Sequence, residues 1–460
     1  MRVPVQKYDL IIIGTGSGNT IITPEFDELE IAIIEKGTFG GACLNRGCIP
    51  SKMLIYAADV LTEIAESKRL GISTVIPTIN WTEIQSRIFG RIDPIANGGE
   101  EYRKTLPNVT VYKGEASFDT NHTIRVNGEI IYGDQIVVAT GASPVVPAIA
   151  GLDSIDFHTS DSIMRIEELP KHLAIVGGGY IAAELAHVFS AFGSQVTMIV
   201  RGNSLLSQED TSIQARFAET FSKRVNIRFR SRIKEVRGTG EVIVCEIEDT
   251  ERSTLEVDAL LIATGRIPDL EILNIKATDI ETEDGYIITD DFMRTSVSHI
   301  WALGDVTNPN QLKHVANAEA KIVSHNIVNS NLKKIDLDPI PHAIFSSPQI
   351  ASVGHTQQFL DRNKMDYVMV TEEFSNVAYG WAMEDTTGFC KIIADPSSGR
   401  LLGAHIIGPQ ASILIHQLIQ GMKFNQTVSD LAQGFLYVHP ALSEVVENAL
   451  IKAMHECDVD

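Results

Sequence analysis

"YDLIIIGTGSGN", residues 8–19, decides the fold. Leu10–Ile13 are four large aliphatic residues in a row, the pattern of a strand buried on both faces, and Gly14-x-Gly16 turns the chain sharply after it. Such a turn lets the backbone approach a pyrophosphate, which the N-terminus of the following helix then stabilises. "ELEIAIIEKG" (28–37) is a second strand ending in Glu35, 21 residues after Gly14, where a carboxylate reaches a ribose 2′-hydroxyl. Ser17 and Gly18 continue the turn, Asn19 stands where the motif has its third glycine, and Pro24 is expected to cut the first helix short. A glycine-rich hairpin is the alternative reading. The strand before the turn and Glu35 after it favour dinucleotide binding.

About 160 residues later "KHLAIVGGGYIAAELAHVFSAFGSQVTMIVRG" (171–202) repeats the scheme. A strand meets Gly177-Gly178-Gly179, a helix runs from Tyr180 through Ile181 and Ala182 to Phe192, Gly193 stops it, and the next strand ends at Arg201. An arginine at this place accommodates a 2′-phosphate, so the second site leans to NADP; a plain surface arginine is the alternative. Ser207 follows six residues on, and Glu209 and Asp210 are expected to oppose a phosphate there. Two nucleotide sites of opposite polarity suggest a flavin plus a nicotinamide cofactor, an electron relay. "DALLIATGRIPD" (258–269), with Gly265, closes the second unit. "WALGDV" (301–306) leads to a helix from about Val315, and from Pro341 strands and loops give way to two terminal helical stretches.

A chain of 460 residues exceeds one core and predicts several domains. Its net charge of −21 argues against binding nucleic acid or an anionic membrane. No apolar run approaches the ~18 residues needed to span a bilayer. The N-terminus passes directly into a strand, which reads as unprocessed and cytoplasmic.

Cys43 and Cys48 are two of only five cysteines. A zinc site needs about four ligands in short paired spacings, and Cys245, Cys390 and Cys457 are isolated; Cys457 reads as a fortuitous exposed thiol. A structural staple is out of place in a reducing compartment, which leaves a redox dithiol. Five residues of regular helix rise about 7.5 Å, beyond the ~7 Å reach of a disulfide, so the segment between the cysteines must depart from ideal helix. Gly47 and Pro50 supply that departure. Lys52, one turn beyond Cys48, suits an anionic flavin or thiolate. "YVHPALSE" (437–444) offers an acid–base partner: His439 precedes Pro440, expected as the first residue of a helix, and Glu444 is placed to orient the imidazole.

"GGACLNRGCIPSK" (40–52) and "HPALSE" (439–444), with both glycine turns, resemble the flavoprotein pyridine-nucleotide disulfide reductases along essentially the whole chain. The resemblance implies an α/β fold of two Rossmann-like nucleotide-binding domains plus a C-terminal α+β dimerisation domain. It divides the chain into residues 1–150 and 269–340 for FAD, 151–268 for NADPH and 341–460 for the homodimer interface. It implies that Cys43 attacks a small disulfide substrate, that Cys48 lies against the flavin, and that Lys52 pairs with Glu184. Tyr180 would cover the nicotinamide pocket, while Ala42, Ala116, Thr140, Gly141, Asp305 and Ala316 would line the FAD. His439 and Glu444 would serve the dithiol of the other subunit. Ala42 replaces the usual threonine, and Arg46 a usually small apolar residue. "GTGSGN", "FGRIDPIANGGEEYR", "HTSDSIMRI" and "NVAYGWAMEDT" are most similar to the branch of the family that reduces mycothione. A lipoamide-oxidising branch, a glutathione-type reductase and a non-catalytic flavin sensor are the alternatives. Arg201 speaks against the first and the His439–Glu444 pair against the last.

Overall fold

The computed structural model describes residues 5–457 apart from 76, 240–241 and 249–251. Strand β1 (Gln6–Ile13) lies between β2 (Ile31–Glu35) and β6 (Glu129–Val138), parallel to both. Parallel pairing covers both faces with chain, which is why all five residues of β2 are buried and its sequence is apolar without alternation. β3 (Val109–Lys113) extends the parallel side, and the antiparallel strands β4 (Ala116–Thr120) and β5 (Thr123–Val126) extend the other. The strand Ile300–Ala302 returns to the same sheet beside β6. This late return brings Asp305 to the same cavity as Gly14, although 291 residues separate them in sequence.

A second sheet is wholly parallel, in the order Asn226–Phe229, Gln195–Val200, His172–Val176, Ala259–Ile262, His158–Thr159. The third large sheet, His342–Ile344 to Leu401–Ile407, is antiparallel and carries helices on one side, including the C-terminal helix Ser443–Glu456. The α/β class is therefore as read: two Rossmann-like units and a C-terminal α+β unit.

Four local expectations are corrected. No α-helix follows the first glycine turn; two 3-10 turns, Gly18–Thr20 and Pro24–Phe26, stand there. Pro24 lacks an amide hydrogen, and the intervening Thr20-Ile21-Ile22-Thr23 run is β-branched. The tail holds four short helices, Ala411–Leu414, His416–Lys423, Val428–Gln433 and Ser443–Glu456, not two stretches. Helix initiation after His439 comes at Ser443 rather than at Pro440. Cys457 is buried against the core that also contains Cys390, because the last helix packs its inner face onto the antiparallel sheet.

Helices α1 (Gly41–Arg46), α2 (Cys48–Glu66) and α3 (Trp81–Thr105) follow β2, and α4 (Tyr180–Ala191) opens the second unit. α2 packs on α4, and two polar pairs set their register: Lys52 with Glu184, and Asp59 with the fully buried His187 at 2.9 Å. Arg224, on the loop after α5 (Thr211–Phe221), closes the second pair by approaching His187 Nδ1 at 3.4 Å. The two nucleotide-binding units are thereby fixed against each other through the helix that carries Cys48.

Candidate active site

α1 and α2 break at Gly47, whose φ of −136° and ψ of −116° lie outside the helical region. A Cβ at Gly47 would stand 3.0 Å from the carbonyl oxygen of Ala42, so the close approach favours glycine. The break falls between the cysteines and leaves both thiols free. The neighbouring Cys43 thiol brings Cys48 down to about 7 against the opposing effect of burial, with the Lys52 ammonium helping. The same interaction with Cys48, together with burial, pushes Cys43 well above the ordinary thiol range. One sulfur of the pair is thus poised as thiolate and the other needs a base.

Lys52 Nζ donates to both oxygens of the buried Glu184 at 2.9 and 2.7 Å, and the backbone N–H of Phe345 donates to Glu184 Oε1 at 2.9 Å. The extra donor matters, because a buried carboxylate with free acceptor sites is costly. The Lys52 ammonium also lies 4.9 Å from the centre of the Phe345 ring.

Both cysteines and Lys52 open onto one cavity of about 1400 Å³ that runs from the first glycine turn to the second. Gly14, Gly16, Ser17, Glu35, Ala42, Ala116, Thr140, Gly141, Asp305 and Ala316 line its first-unit side. Gly179, Tyr180, Ile181 and Glu184 line the second-unit side. Gly14 has φ +98°, and a Cβ there would come within 2.3 Å of the Ala139 carbonyl oxygen. Glu35 is pinned at the cavity wall: Thr15 donates to Oε2 through its amide at 3.0 Å and its hydroxyl at 2.6 Å, and Gly37 N–H donates to Oε1 at 2.7 Å.

Gly18 does not line the cavity. It does what the motif's third glycine does elsewhere, since a Cβ there would meet the Ala139 methyl at 2.7 Å. Asn19 instead holds the buried Arg103, accepting at Oδ1 (2.8 Å) and at its carbonyl (2.7 Å). Gly177 and Gly265 also lie off the cavity, at φ +140° and +122°; a Cβ on Gly177 would strike Ala263 O at 2.2 Å.

Arg201 is exposed just past the strand Gln195–Val200, without a hydrogen bond or ion pair among the described residues. The expectation that Glu209 and Asp210 oppose a phosphate there is overturned, because both carboxylates turn inward. Glu209 accepts from His342 at 2.6 Å and Ser352 at 2.7 Å; Asp210 accepts from the buried Lys391 at 2.8 Å and from Gln357 N–H at 2.9 Å.

His439 Nδ1 lies 2.7 Å from Glu444 Oε1, and Ala441 N–H donates to Glu444 Oε2 at 3.0 Å. The imidazole holds the Glu444 carboxyl below its ordinary range. The His439 side chain is 73% exposed, and the pair does not line the cavity that holds the cysteines of its own chain. Beside it Leu436 and Val438 are exposed apolar residues.

Several cavity groups escaped the sequence reading. Arg266 pairs with Asp161 at 2.7 Å and donates to Ala142 O at 2.6 Å; its place after Gly265 in "ATGRIPD" was an available signal. Lys313 donates to Ser17 Oγ at 2.7 Å. Glu319, buried off the cavity, accepts from Gly304 N–H at 2.6 Å, and burial pushes its carboxyl up to about 7; nothing in the sequence marks it.

A dithiol beside a half-buried lysine, on a cavity joining two dinucleotide-type glycine turns, defines a nucleotide-dependent dithiol oxidoreductase. Residues 8–321 match the family model for pyridine nucleotide-disulphide oxidoreductases and residues 340–450 that for their dimerisation domain, so the chain belongs to this family. It is 44% identical to the mycothione reductase of Mycobacterium tuberculosis, over 97% of this chain and 99% of that protein. It is 32% identical to the mercuric reductase of Staphylococcus aureus (93% and 79% covered) and to the dihydrolipoyl dehydrogenase of Corynebacterium glutamicum (96% and 97%). Among solved structures, the HOCl-induced flavoprotein disulfide reductase of Escherichia coli superposes with a TM-score of 0.86 at 28% identity, covering 96% of this chain and 99% of that one. The protein is an oxidoreductase acting on disulfides, with FAD and a nicotinamide dinucleotide as cofactors. The close backbone approach at Gly14 and the pinned Glu35 fit a dinucleotide on the first unit. The dimerisation domain supports a homodimer. Among the described residues no helix is long and apolar enough to cross a membrane.

Proposed function

We propose that the protein reduces the disulfide mycothione to mycothiol with NADPH, through Cys43 and Cys48. The two free thiols on either side of the helix break at Gly47, sharing one cavity with Lys52, carry the chemistry, and 44% identity to a mycothione reductase along 97% of the chain supports the substrate. Residues 1–150 and 269–340 hold FAD, through Gly14, Gly16, Ser17, Glu35, Thr140, Gly141 and Asp305. Residues 151–268 hold NADPH, with Gly179, Tyr180 and Ile181 at the nicotinamide end and Arg201 at the 2′-phosphate. Residues 341–460 form the dimer contact.

FAD, when bound, would supply the relay of two electrons from NADPH, and the Cys43–Cys48 disulfide opens to a Cys43 thiol and a Cys48 thiolate. Cys48 keeps its sulfur ionised with Cys43 S–H and Lys52 as partners. Cys43, raised by its neighbour Cys48 and by burial, gives its proton to the partner's His439 and attacks one sulfur of the substrate. The substrate S–S bond breaks, and the departing thiolate takes that proton back from the imidazole. Cys48 thiolate then attacks Cys43 in the mixed disulfide, expels the second substrate sulfur as a thiolate that takes up a proton from solvent, and restores the Cys43–Cys48 bond. NADPH, one proton and one disulfide give NADP⁺ and two thiols. Glu444 holds His439 Nδ1 protonated, which leaves Nε2 to exchange the proton. The exposure of His439 and of its apolar neighbours supports a site completed by the second subunit.

Steady-state assays of the purified protein on mycothione, glutathione disulfide and lipoamide test this reading. Mycothione is expected to lead by at least about 10²-fold in kcat/KM. Comparable rates on glutathione disulfide would remove the substrate assignment and leave the family untouched.

A further inference from the structure

Arg46 lies between the two cysteines in sequence, yet it is not among the groups that shift either thiol. Arg46 lines the large cavity on the first-unit side, and its guanidinium makes no hydrogen bond among the described residues. Nε is buried without a partner. The single ionic contact among the described residues is a loose one, Nη1 to Asp161 Oδ2 at 3.7 Å, and Asp161 is already held by Arg266 at 2.7 Å. One carboxylate between two guanidiniums leaves a positive charge in excess. Glu35 is close by, across Gly37, but it forms no ion pair with Arg46 among the described residues, and its oxygens are taken by Thr15 and Gly37. An under-committed cation with a buried donor, facing a cavity, points to an anion bound in that cavity.

Its position on α1 narrows the choice. Arg46 is four residues from Ala42, so both lie on one face of the same helical turn, and both line the cavity beside the Gly14–Ser17 turn. A Cβ at Gly41 would lie 2.7 Å from the Gly16 Cα, which puts this end of α1 directly on the turn. Ala42 offers no hydroxyl donor beside the turn, and Arg46 places a guanidinium one helical turn later. We propose that Arg46 anchors the diphosphate of the FAD held on the first unit and takes over from the hydroxyl donor that Ala42 lacks. A planar guanidinium donates in pairs to phosphate oxygens, which a serine or threonine cannot do. The proposal rests on the flavin cofactor of the family; wild-type protein that binds no FAD would overturn both.

The test is FAD release from the holoenzyme, followed by the rise of free-flavin fluorescence on dilution, for wild type, Arg46→Met, Arg46→Lys and Arg46→Met/Ala42→Thr. Arg46→Met is expected to release FAD about 10–100-fold faster at low salt, the range of one charge-assisted contact. The gap should narrow as salt screens the charge. Arg46→Lys should fall between, and adding Ala42→Thr should recover part of the loss. Release at the wild-type rate from Arg46→Met and Arg46→Lys would overturn the proposal. So would a lowered melting temperature with unchanged release, which would leave Arg46 only its contact with Asp161.

Discussion

Replacing Glu444 by glutamine separates orienting an imidazole from transferring a proton. Glu444 Oε1 meets His439 Nδ1 at 2.7 Å, at the short end for N–H···O bonds and typical of a charged acceptor. Glutamine keeps one acceptor oxygen and loses the charge. Its amide NH₂ then faces the Ala441 N–H that the second carboxylate oxygen accepts at 3.0 Å. Exchanging a charge-assisted contact for a neutral one costs about 1–1.5 kcal/mol. Solvent screening favours the lower figure for a His439 side chain that is 73% exposed in the protomer. The disulfide half-reaction should therefore slow about 5–10-fold. His439→Ala removes the proton carrier itself and should slow it about 10²–10⁴-fold. Rapid mixing measures the halves separately: flavin reduction by NADPH first, then reoxidation by the disulfide. Both variants are expected to reduce flavin at the wild-type rate. Equal losses in the two variants would refute the orienting role of Glu444, and slowed flavin reduction in either would make the pair structural.

Cys43→Ser should show, before any reduction, the long-wavelength absorbance of a Cys48 thiolate against oxidised flavin, and Cys48→Ser should lack it; equal spectra would reverse the assigned roles. NADPH should be preferred to NADH by about 10–100-fold in kcat/KM, since Arg201 is free to contact the 2′-phosphate and Glu209 and Asp210 are turned away from it. Arg201→Ala should remove most of that preference through KM, and unchanged selectivity would show that the phosphate is not read there. Lys391→Met should destabilise the protein by about 3–5 kcal/mol at neutral pH, because it leaves Asp210 charged, buried and without its cation. Asp210 is held down to about 2, against the effect of burial, by Lys391 and Ser212. The stability it contributes is thus complete above its ordinary value of 3.8 and lost as pH falls through about 2. Melting temperatures of wild type and Lys391→Met should converge over that interval, and a constant gap would contradict the ionic account.

The parallel sheets were legible because strands buried on both faces are written as unbroken aliphatic runs, and Gly14 and Gly177 mark turns that a Cβ would block. The dithiol was legible because Gly47 must break a helix that would otherwise hold Cys43 and Cys48 apart. Partnerships across the chain were not. Glu209 and Asp210 look like surface acids beside Arg201, yet their partners His342 and Lys391 come from strands 133 and 181 residues away. Cys457 looks like a loose terminal thiol until the last helix is seen packed on the antiparallel sheet. Asn19 looks like a damaged motif, whereas Gly18 already provides the close packing and Asn19 anchors Arg103.

The site shared between subunits is tested most directly by mixing two inactive proteins, Cys43→Ser and His439→Ala, under conditions of verified subunit exchange. Each heterodimer then holds one complete site, built from the cysteines of the His439→Ala chain and the His439 of the Cys43→Ser chain. With random pairing of equal amounts, disulfide reduction should return to about a quarter of the wild-type rate. Exchange without recovery would show that each chain supplies its own acid, and would contradict the shared site.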